Sequence, residues 1–517
     1  MAGKIIPKII LLLSAILVFA VVLGVSIYEE RSNCMGVSIM EEKDVVYYKK
    51  VGGFDMSKLT FNGQPVAYDK TSQTVYISQS PDRIGNYYTL EGRLQWEDPD
   101  SQIFFIKDKN LLNMEKSVKD NENLRLYITN GERHQLLKVV ISTLPIIRID
   151  GEADHKNEDN RYVYAGSLCM WTGKDPTTGI STVQTSELEW HVRGNTTSTK
   201  PKKPWKLSLK DENGENRNLE FLGMGSDDDW ILNCLTMDDT KMKEKLFMDY
   251  WNTLAATEDY LFKMSTGEYV EVVINGEYLG LFLLQRRVDA KYLELNEDDV
   301  LLKVTTYGKT KAEDAYEFIT TPVNQEKIYA TMQKVLDQQD SSMYNLQNMI
   351  DTNLMLQAMS SIDNQGLKNM FHVLIPKGDG YEHYFVPWDT DQSLGVVWNA
   401  DIKNFDYNAI RARTERVQRK ETVAMLKIHP DYYQLEAVRW FELRESLLVE
   451  EELHKYVDET YAFMHNSGAF ERDVKKWGNR YTAYGSNDSL DSIKALKRFI
   501  TARLAYLDKY YTDLLPK

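Results

Sequence analysis

The chain has 517 residues, of which 43% are hydrophobic and 27% charged, and these ordinary values exclude a wholly disordered protein. This length is enough for about two to four domains. The formal net charge of −15 argues against general affinity for nucleic acid or anionic membrane surfaces, so we expect no nucleic-acid partner.

An apolar run near the N-terminus predicts a membrane anchor. Residues 9–27 contain no charged side chain, and Lys4 and Lys8 precede them. About 20 apolar residues span a bilayer as a helix, and the lysines favour a cytoplasmic N-terminus. A cleaved signal peptide is the alternative, although its apolar core usually has about 7–15 residues. We therefore expect residues 1–30 to anchor a single-pass membrane protein whose bulk is extracytoplasmic.

Short strand-like segments follow the predicted anchor. VVYYKKV, QTVYISQS, SQIFFIKDK and LRLYITNG are rich in β-branched and aromatic residues and are separated by turn-forming residues. This spacing predicts a small antiparallel β-sandwich over residues 40–143. The segment contains no catalytic constellation, so both a glycan-binding role and a spacer or docking role are open.

A basic run next in the chain suits an anionic ligand. It begins at Arg193-Gly194-Asn195, and KPKKPWKLSL follows, with Lys203 and Lys206. Gly194 and the small hydroxyl residues allow backbone N–H groups to approach phosphate oxygens closely. Arginine and lysine then supply the positive charge that phosphate needs. A solvated basic hairpin is the other interpretation of the same residues.

Three local patterns mark elements between the basic run and residue 361. Asp238 or Asp239 is positioned to cap a helix that starts near Thr240. Asn275-Gly276 between two apolar arms predicts a β-hairpin. Residues 320–361 have helical apolar spacing, which brings Asp363 to the C-terminal end of a buried helix.

An acidic stretch after this helix has the side chains of a divalent-cation site. Asp363 is followed by Asn369, and an apolar hairpin then leads to Asp389 and Asp391. Hard cations such as Mg²⁺ take oxygen ligands, and Mg²⁺ usually takes only one or two from the protein. Helix caps and turns are the alternative interpretation of acidic residues at these positions. Residues 401–430 then form a basic polar segment, and residues 431–515 are helical throughout.

Taken together, these segments resemble the CotH family of atypical protein kinases. The motifs that carry the resemblance are VRGNTT with KPKKPWKLSL, LGMGSDDDWILNCLTMDDTKMKEKL, YVEVVINGEYLGLFLL, DNQGLKN and VPWDTDQS, in that order. The expected fold class is therefore α+β: an N-terminal transmembrane helix, a small antiparallel β-sandwich, and a kinase-like domain over residues 144–517 with a helical C-terminal region.

The resemblance implies a function and a set of site residues. It implies ATP with Mg²⁺ or Mn²⁺ as cofactors, and transfer of the γ-phosphoryl group to Ser or Thr of a coat or cell-surface protein. Asp363 would be the catalytic base. Asn369, Asp389 and Asp391 would lie on the metal side. Lys203 or Lys206 would pair with phosphate, and Arg193 and Asn195 would belong to the nucleotide-side loop.

Two places depart from the family pattern. Lys243-Glu244 stands where the LTMDDTKMKEKL motif usually closes with Arg-Asn. Arg286 stands where the strand after the hairpin usually ends in Glu. This departure keeps open the alternative of a catalytically weak scaffold with the same fold.

Overall fold

The computed structural model describes residues 32–173, 182–304, 308–337, 342–364, 368–395, 428–478 and 489–516. Along the chain it contains a mixed β-sheet, a closed β-barrel, and a smaller sheet that is covered by helices. The basic segment at 401–430 lies mostly outside the described residues.

The N-terminal region is built on a mixed sheet. Its elements are β1 Asn33–Cys34, β2 Val37–Glu41, β3 Lys50–Val51, β4 Leu59–Phe61, β5 Gln64–Pro65, β6 Ala67–Asp69, β7 Thr74–Ser78, β8 Leu94–Trp96, β9 Gln102–Lys107, α1 Lys109–Leu112, α2 Met114–Lys119, β10 Leu124–Thr129 and β11 Arg133–Ser142. Among the described residues, eight strands form one sheet in the order β1-β2-β9-β10-β11-β7-β6, with β3 on β11. Strands β5-β4-β8 form a second sheet.

The prediction of an antiparallel sandwich is wrong for this region. The β2–β9, β3–β11 and β7–β11 pairs are parallel. Parallel pairs join strands that lie far apart in sequence, as β7 and β11 do, because a crossover must separate them. Residue alternation along a strand reports which face is buried, and it carries no information about strand direction.

The predicted transmembrane helix also requires correction. The apolar segment 9–27 lies outside the described residues, and none of the helices in the described ranges is long and apolar enough to cross a bilayer. The expectation of a single-pass membrane protein, with the membrane as a partner, is therefore dropped. The fold is a mixed α/β arrangement of sheets and a barrel.

The middle of the chain closes into a barrel. Its elements are β12 Ile146–Lys156, β13 Tyr162–Trp171, β14 Val183–Val192, β15 Trp205–Lys210, β16 Leu219–Glu220, β17 Ser226–Asp227, β18 Asp229–Asn233, α3 Lys243–Ala255, β19 Gly267–Ile274 and β20 Glu277–Arg286. In the described structure, seven strands form the barrel in the order β12-β13-β14-β15-β18-β20-β19, and a parallel β12–β19 pair closes it. Alternate residues such as Leu207 and Leu209 fill its interior with Trp190 and Trp230.

The C-terminal part places a small sheet beneath the barrel and surrounds it with helices. Its elements are β21 Val300–Val304, α4 Ala312–Ala315, β22 Tyr316–Phe318, α5 Gln325–Leu336, α6 Leu346–Ala358, β23 Met370–Lys377, β24 Gly380–Pro387, α7 Tyr432–Ser446, α8 Glu450–Asn466, α9 Ala469–Trp477 and α10 Ser489–Thr512. The sheet has the order β22-β21-β23-β24. Every residue of α6 is buried except Leu346 and Gln347, because helices and sheet cover it on all sides.

The N-terminal sheet and the barrel share one hydrophobic core. Ile146, Trp171 and Tyr278 of the barrel pack into the N-terminal cluster. The ring of Tyr76 stacks on that of Tyr278 with centroids 4.3 Å apart, and the Trp171 indole donates to the Phe61 carbonyl at 3.2 Å. The two regions are therefore packed as one body at this contact.

Candidate active site

A cleft of about 820 Å³, counting the part open to solvent, lies between the barrel and the small sheet. The barrel side contributes strands β15, β18 and β20 and helix α3, and the sheet side contributes β21 and β23. The side chains lining it are Arg193, Lys206, Ile231, Glu244, Met248, Met264, Ser265, Gln285, Arg286, Arg287, Val288, Lys303, Ile319, Phe371 and Trp388. A cleft that combines apolar side chains with convergent polar and charged groups is a usual form of a ligand site.

Lys206 and Arg193 give the barrel wall its positive charge. Lys206 alternates with the inward-facing Leu207, so its ammonium group points outward, 3.1 Å from Asp229 Oδ2. Burial opposes ionisation of Asp229, but Lys206, Ser208 and Arg287 hold its pKa below the usual value. Arg193 lies over the Trp388 ring at 5.9 Å. Burial lowers the pKa of Arg193, while the charges of Asp389 and Glu244 oppose that change.

The other two residues predicted on the nucleotide side lie away from the cleft lining. Asn195 is exposed, and its carbonyl accepts from the Ser198 hydroxyl at 2.6 Å. The Lys203 ammonium group donates to the Ser198 carbonyl at 2.7 Å. Both residues therefore hold the 194–203 loop in shape, and of the two candidate lysines the structure brings only Lys206 to the cleft.

Arg286, one of the departures from the family pattern, lines the cleft and is anchored by an ion pair. Its guanidinium donates to Asp227 Oδ2 at 2.5 and 3.1 Å, and it lies 4.7 Å from the centre of the Tyr292 ring. Burial opposes ionisation of Asp227, but Lys291 and Arg286 hold its pKa below the usual value. The arginine is therefore paired and held in place by Asp227.

Glu244 is an acidic side chain in the cleft lining that the sequence marked only as a departure from the family pattern, without a role at the site. It lies in the first turn of α3, where it accepts from Asn233 Nδ2 at 2.6 Å and from Gln285 Nε2 at 2.9 Å. Burial, reinforced by the charge of Asp389, raises the pKa of Glu244 to about 7. The signal in the sequence was the Lys243-Glu244 pair in place of the usual Arg-Asn, and that departure alone does not place the carboxylate in the cleft.

On the sheet side, Asp363 and Asn369 are in direct contact. Asn369 Nδ2 donates to Asp363 Oδ2 at 2.9 Å, and the Lys368 ammonium group lies 3.1 Å from the same oxygen. Asn364 holds this loop against the acidic hairpin, since its amide donates to the carbonyls of Asn369 and Trp388 at 2.7 Å. The structure thus brings the predicted base and the predicted amide ligand together.

Asp389 and Asp391 follow strand β24 and are half-buried beside the Asp363 loop. Burial raises the pKa of Asp389; Arg193 opposes the rise and Asp363 adds to it. Burial also raises the pKa of Asp391, and the charges of Asp389 and Glu244 raise it further. Asn369 and Asp389 both have a left-handed backbone, with φ of 55° and 56°. Such conformations cost energy and occur often at functional sites.

These side chains fit a divalent cation that has few protein ligands. Crowded carboxylates with raised pKa values indicate negative charge that a cation would neutralise. In the described ranges, no group of three or more His, Cys, Asp or Glu side chains is arranged to hold a metal ion. A cation here would therefore take Asp389, Asp391 and the Asn369 amide oxygen, with phosphate and water as its other ligands, as Mg²⁺ commonly does.

Comparison with known proteins identifies the family of the chain. The family model described as CotH kinase protein matches residues 190–507, well over half of the chain. No curated protein matches the chain. The family match begins in β14, continues through both walls of the cleft, and includes most of the C-terminal helices. The chain therefore belongs to the CotH kinase family.

Proposed function

We propose that the protein is an ATP-dependent kinase that phosphorylates Ser or Thr hydroxyl groups of a protein substrate. The observation that carries the proposal is a basic cleft wall beside an acidic group. Lys206 and Arg193 line the cleft on the barrel side. The Asp363, Asn369 and Asp389 group adjoins the lining on the sheet side, where Asn364 bonds the Trp388 carbonyl and the charges of Asp389 and Arg193 interact. Phosphoryl transfer needs mainly positioning and charge compensation, and these walls supply both.

Each wall has a separate part in the proposed reaction. The apolar lining, including Ile231, Val288 and Phe371, suits a nucleobase, while Lys206 and Arg193 bind phosphate oxygens. The oxygen of the substrate hydroxyl forms a bond to the γ-phosphorus, and the bond from that phosphorus to ADP breaks. Asp363 accepts the proton that the hydroxyl loses. Mg²⁺ or Mn²⁺, when bound, would compensate phosphate charge, and Asp389, Asp391 and Asn369 are the residues that would hold it.

A transfer assay tests the proposal. The purified protein is incubated with radiolabelled ATP, Mg²⁺ or Mn²⁺ and a generic protein substrate. We expect incorporation by the wild type, and its loss in Asp389→Ala. The matched control is Asp379→Ala, an exposed acid at the other end of the same hairpin, which should keep full activity. No incorporation by the wild type, together with no nucleotide-induced rise in Tm, would overturn the proposal.

A catalytically weak scaffold is the second candidate. Arg286 favours it, because a fixed guanidinium occupies the cleft position where the family pattern has a carboxylate. The same assay separates the two functions. A rise in Tm on adding ATP without phosphate incorporation would support the scaffold.

A further inference from the structure

Asp473 of helix α9 is completely buried where three segments of the barrel region meet. Its Oδ1 atom lies 2.5 Å from the Lys202 ammonium group and accepts from the Leu281 backbone N–H at 3.0 Å. Its Oδ2 atom lies 3.6 Å from the Lys241 ammonium group. The Asp473 carboxylate, which comes 192 residues after Leu281 in the chain, therefore holds all three segments.

The backbone is shaped to admit this carboxylate. The β19–β20 register shifts between Val272 and Val273. Gly280, on the opposite strand, has φ of 95°, and a Cβ atom there would overlap Asp473 Oδ1. A bulge of this kind leaves a backbone N–H outside the ladder, and here the N–H of Leu281 is directed to Asp473.

Each of the three segments continues into the cleft lining within a few residues. Lys202 precedes Lys206, Lys241 precedes Glu244, and Leu281 precedes Gln285. Lys206, Glu244 and Gln285 all line the cleft. The Lys202 ammonium group also donates to the Leu281 carbonyl, so the first and third segments are joined directly. Helix α9 is thus connected to the segments that lead into strand β15 and helix α3, and to strand β20.

The contacts of Asp473 with Lys202, Lys241 and Leu281, called the Asp473 junction below, include buried ion pairs. Lys202 and Lys241 are both buried, with 3% and 4% of their surface exposed, and Asp473 is the carboxylate they share. A buried ammonium group is costly unless it is paired and hydrogen-bonded. Burial lowers the pKa of Lys202, and Asp473 opposes that change. The positions of both lysine segments therefore depend on a side chain from outside the barrel.

We propose that Asp473 is a positioning residue for the nucleotide-binding wall, acting through Lys202, Lys241 and the Leu281 N–H. The inference rests on the proposed function, since it assigns Asp473 a role in holding Lys206, Glu244 and Gln285 for nucleotide. This role predicts an effect on one side of the cleft only. The polar partners of Asp473 named above all lie in the barrel region, so its loss should weaken nucleotide binding and leave the Asp363 chemistry on the sheet side intact.

Two variants of the junction and one matched control test the proposal. Lys202→Met removes one lysine and leaves the Asp473–Lys241 pair, so the remaining buried charges still balance. Asp473→Asn keeps an acceptor for Leu281 but removes the charge. Lys476→Met is the control, because Lys476 lies on the same helix and pairs at 2.9 Å with the exposed Glu277.

Nucleotide binding and turnover are measured separately for each protein. Small displacements of binding groups cost roughly tenfold to a hundredfold, so we expect both junction variants to raise the Kd and KM for ATP by about that factor. At saturating ATP, kcat should stay near that of the wild type, and Lys476→Met should change neither value. A fall in kcat with unchanged Kd, or loss of the fold in both junction variants, would overturn the positioning role.

Hydrogen exchange provides a readout that does not depend on activity. We expect faster exchange in β15 and in residues 281–286 of both junction variants, and unchanged exchange in Lys476→Met. A wild type that binds no nucleotide would overturn the proposed function, while the exchange rates would still decide whether Asp473 orders these strands. Unchanged exchange in both variants would overturn the inference itself.

Discussion

The two walls of the cleft handle their charges in opposite ways. On the barrel wall, Arg286 pairs with Asp227, and both Arg287 and Lys206 pair with Asp229. On the sheet side, burial raises the pKa values of Asp389 and Asp391; the charge of Asp363 adds to both rises, and the charge of Asp389 adds to that of Asp391. Three barrel-wall cations are thus paired with carboxylates, whereas the carboxylates of the sheet side are crowded together.

This difference indicates which wall is complete without a ligand. Paired charges hold the barrel side in a single arrangement, so its binding groups are preorganised. The sheet side combines crowded carboxylates with a left-handed backbone at Asn369 and Asp389, and both features are costs that a bound cation would offset. The comparison predicts separate effects of substitution. Substitutions in the barrel wall should weaken ATP binding, and substitutions on the sheet side should slow phosphoryl transfer.

The largest effect is expected from Asp363→Asn on the sheet wall. Removing a general base typically costs about 10²–10⁴-fold in rate, so kcat should fall by that factor. The Kd for ATP should stay unchanged, because Asp363 lies outside the cleft lining. Initial rates of phosphate transfer and equilibrium binding give the two values, with Asp379→Asn as the control. A comparable loss of binding would contradict the division between the walls.

Glu244→Gln should change how the stability of the barrel wall depends on pH. Because the folded-state pKa of Glu244 is about 7, above the ordinary 4.5, the folded protein binds the extra proton between these values. Its contribution to stability is therefore full at low pH and is lost as pH rises through 7. The loss is at most about 3 kcal/mol, since a tenfold change in proton affinity corresponds to about 1.4 kcal/mol.

Urea unfolding at pH 5 and pH 8 measures this effect. We expect the free energy of unfolding of Glu244→Gln to fall less between these pH values than that of the wild type. The variant keeps its hydrogen bond to Gln285 when the side-chain amide of Gln285 flips and presents its oxygen as the acceptor. Glu326→Gln, at an exposed position in α5, is the control and should keep the wild-type slope. Equal slopes in all three proteins would show that Glu244 is charged at pH 5.

Lys206→Met tests whether the barrel wall acts through charge. We expect about a tenfold rise in the Kd for ATP, near 1.4 kcal/mol, with a smaller change in kcat. Lys210→Met is the matched control, because Lys210 lies on the same strand but bonds Asn216 at 2.9 Å away from the cleft. Titration with a fluorescent ATP analogue gives the constants. An unchanged Kd would remove Lys206 from the binding wall.

The smallest effect concerns His383 of the small sheet. His383 is buried against His372, with ring nitrogens 2.9 Å apart, and burial followed by His372 depresses its pKa well below 6.5. Below about pH 6.5 the unfolded chain takes up a proton that the folded chain excludes, so stability falls as pH falls. This direction is opposite to that of Glu244.

His383→Phe should therefore reduce the loss of stability between pH 7 and pH 5, by about 1 kcal/mol. The exposed His155→Phe is the control and should keep the wild-type dependence. Thermal unfolding followed at several pH values gives the comparison. A variant as acid-sensitive as the wild type would show that His383 does not set this dependence.

Local chemistry predicted several elements correctly. Asn275-Gly276 forms the predicted turn between β19 and β20, with φ of 52° and 75°, because these two residues tolerate the left-handed conformation. Helix α6 follows its apolar spacing. Lys206 alternates with the buried Leu207 and Leu209 along β15, as the strand pattern indicated, although the sequence left Lys203 and Lys206 as equal candidates.

Features that depend on distant segments were beyond the sequence. The parallel pairing of β7 with β11 and the closure of the barrel join strands whose patterns look the same in either direction. Lys202 and Lys203 are adjacent in a Pro-interrupted run, yet one is buried on Asp473 and the other is bound to a loop carbonyl. The cleft position of Glu244 likewise depends on strands β18 and β20, which contribute Asn233 and Gln285.

The Asp473 junction also constrains the order in which parts of the molecule fold. During synthesis, Lys202 and Lys241 emerge long before Asp473, and until then the barrel would enclose the Lys202 ammonium group without its ion-pair partner. Such a state is unfavourable, and domains of large proteins otherwise tend to form as the chain emerges. The barrel is therefore expected to complete its folding only after residue 473 has been made, so chains truncated before it are left open and exposed to proteolysis.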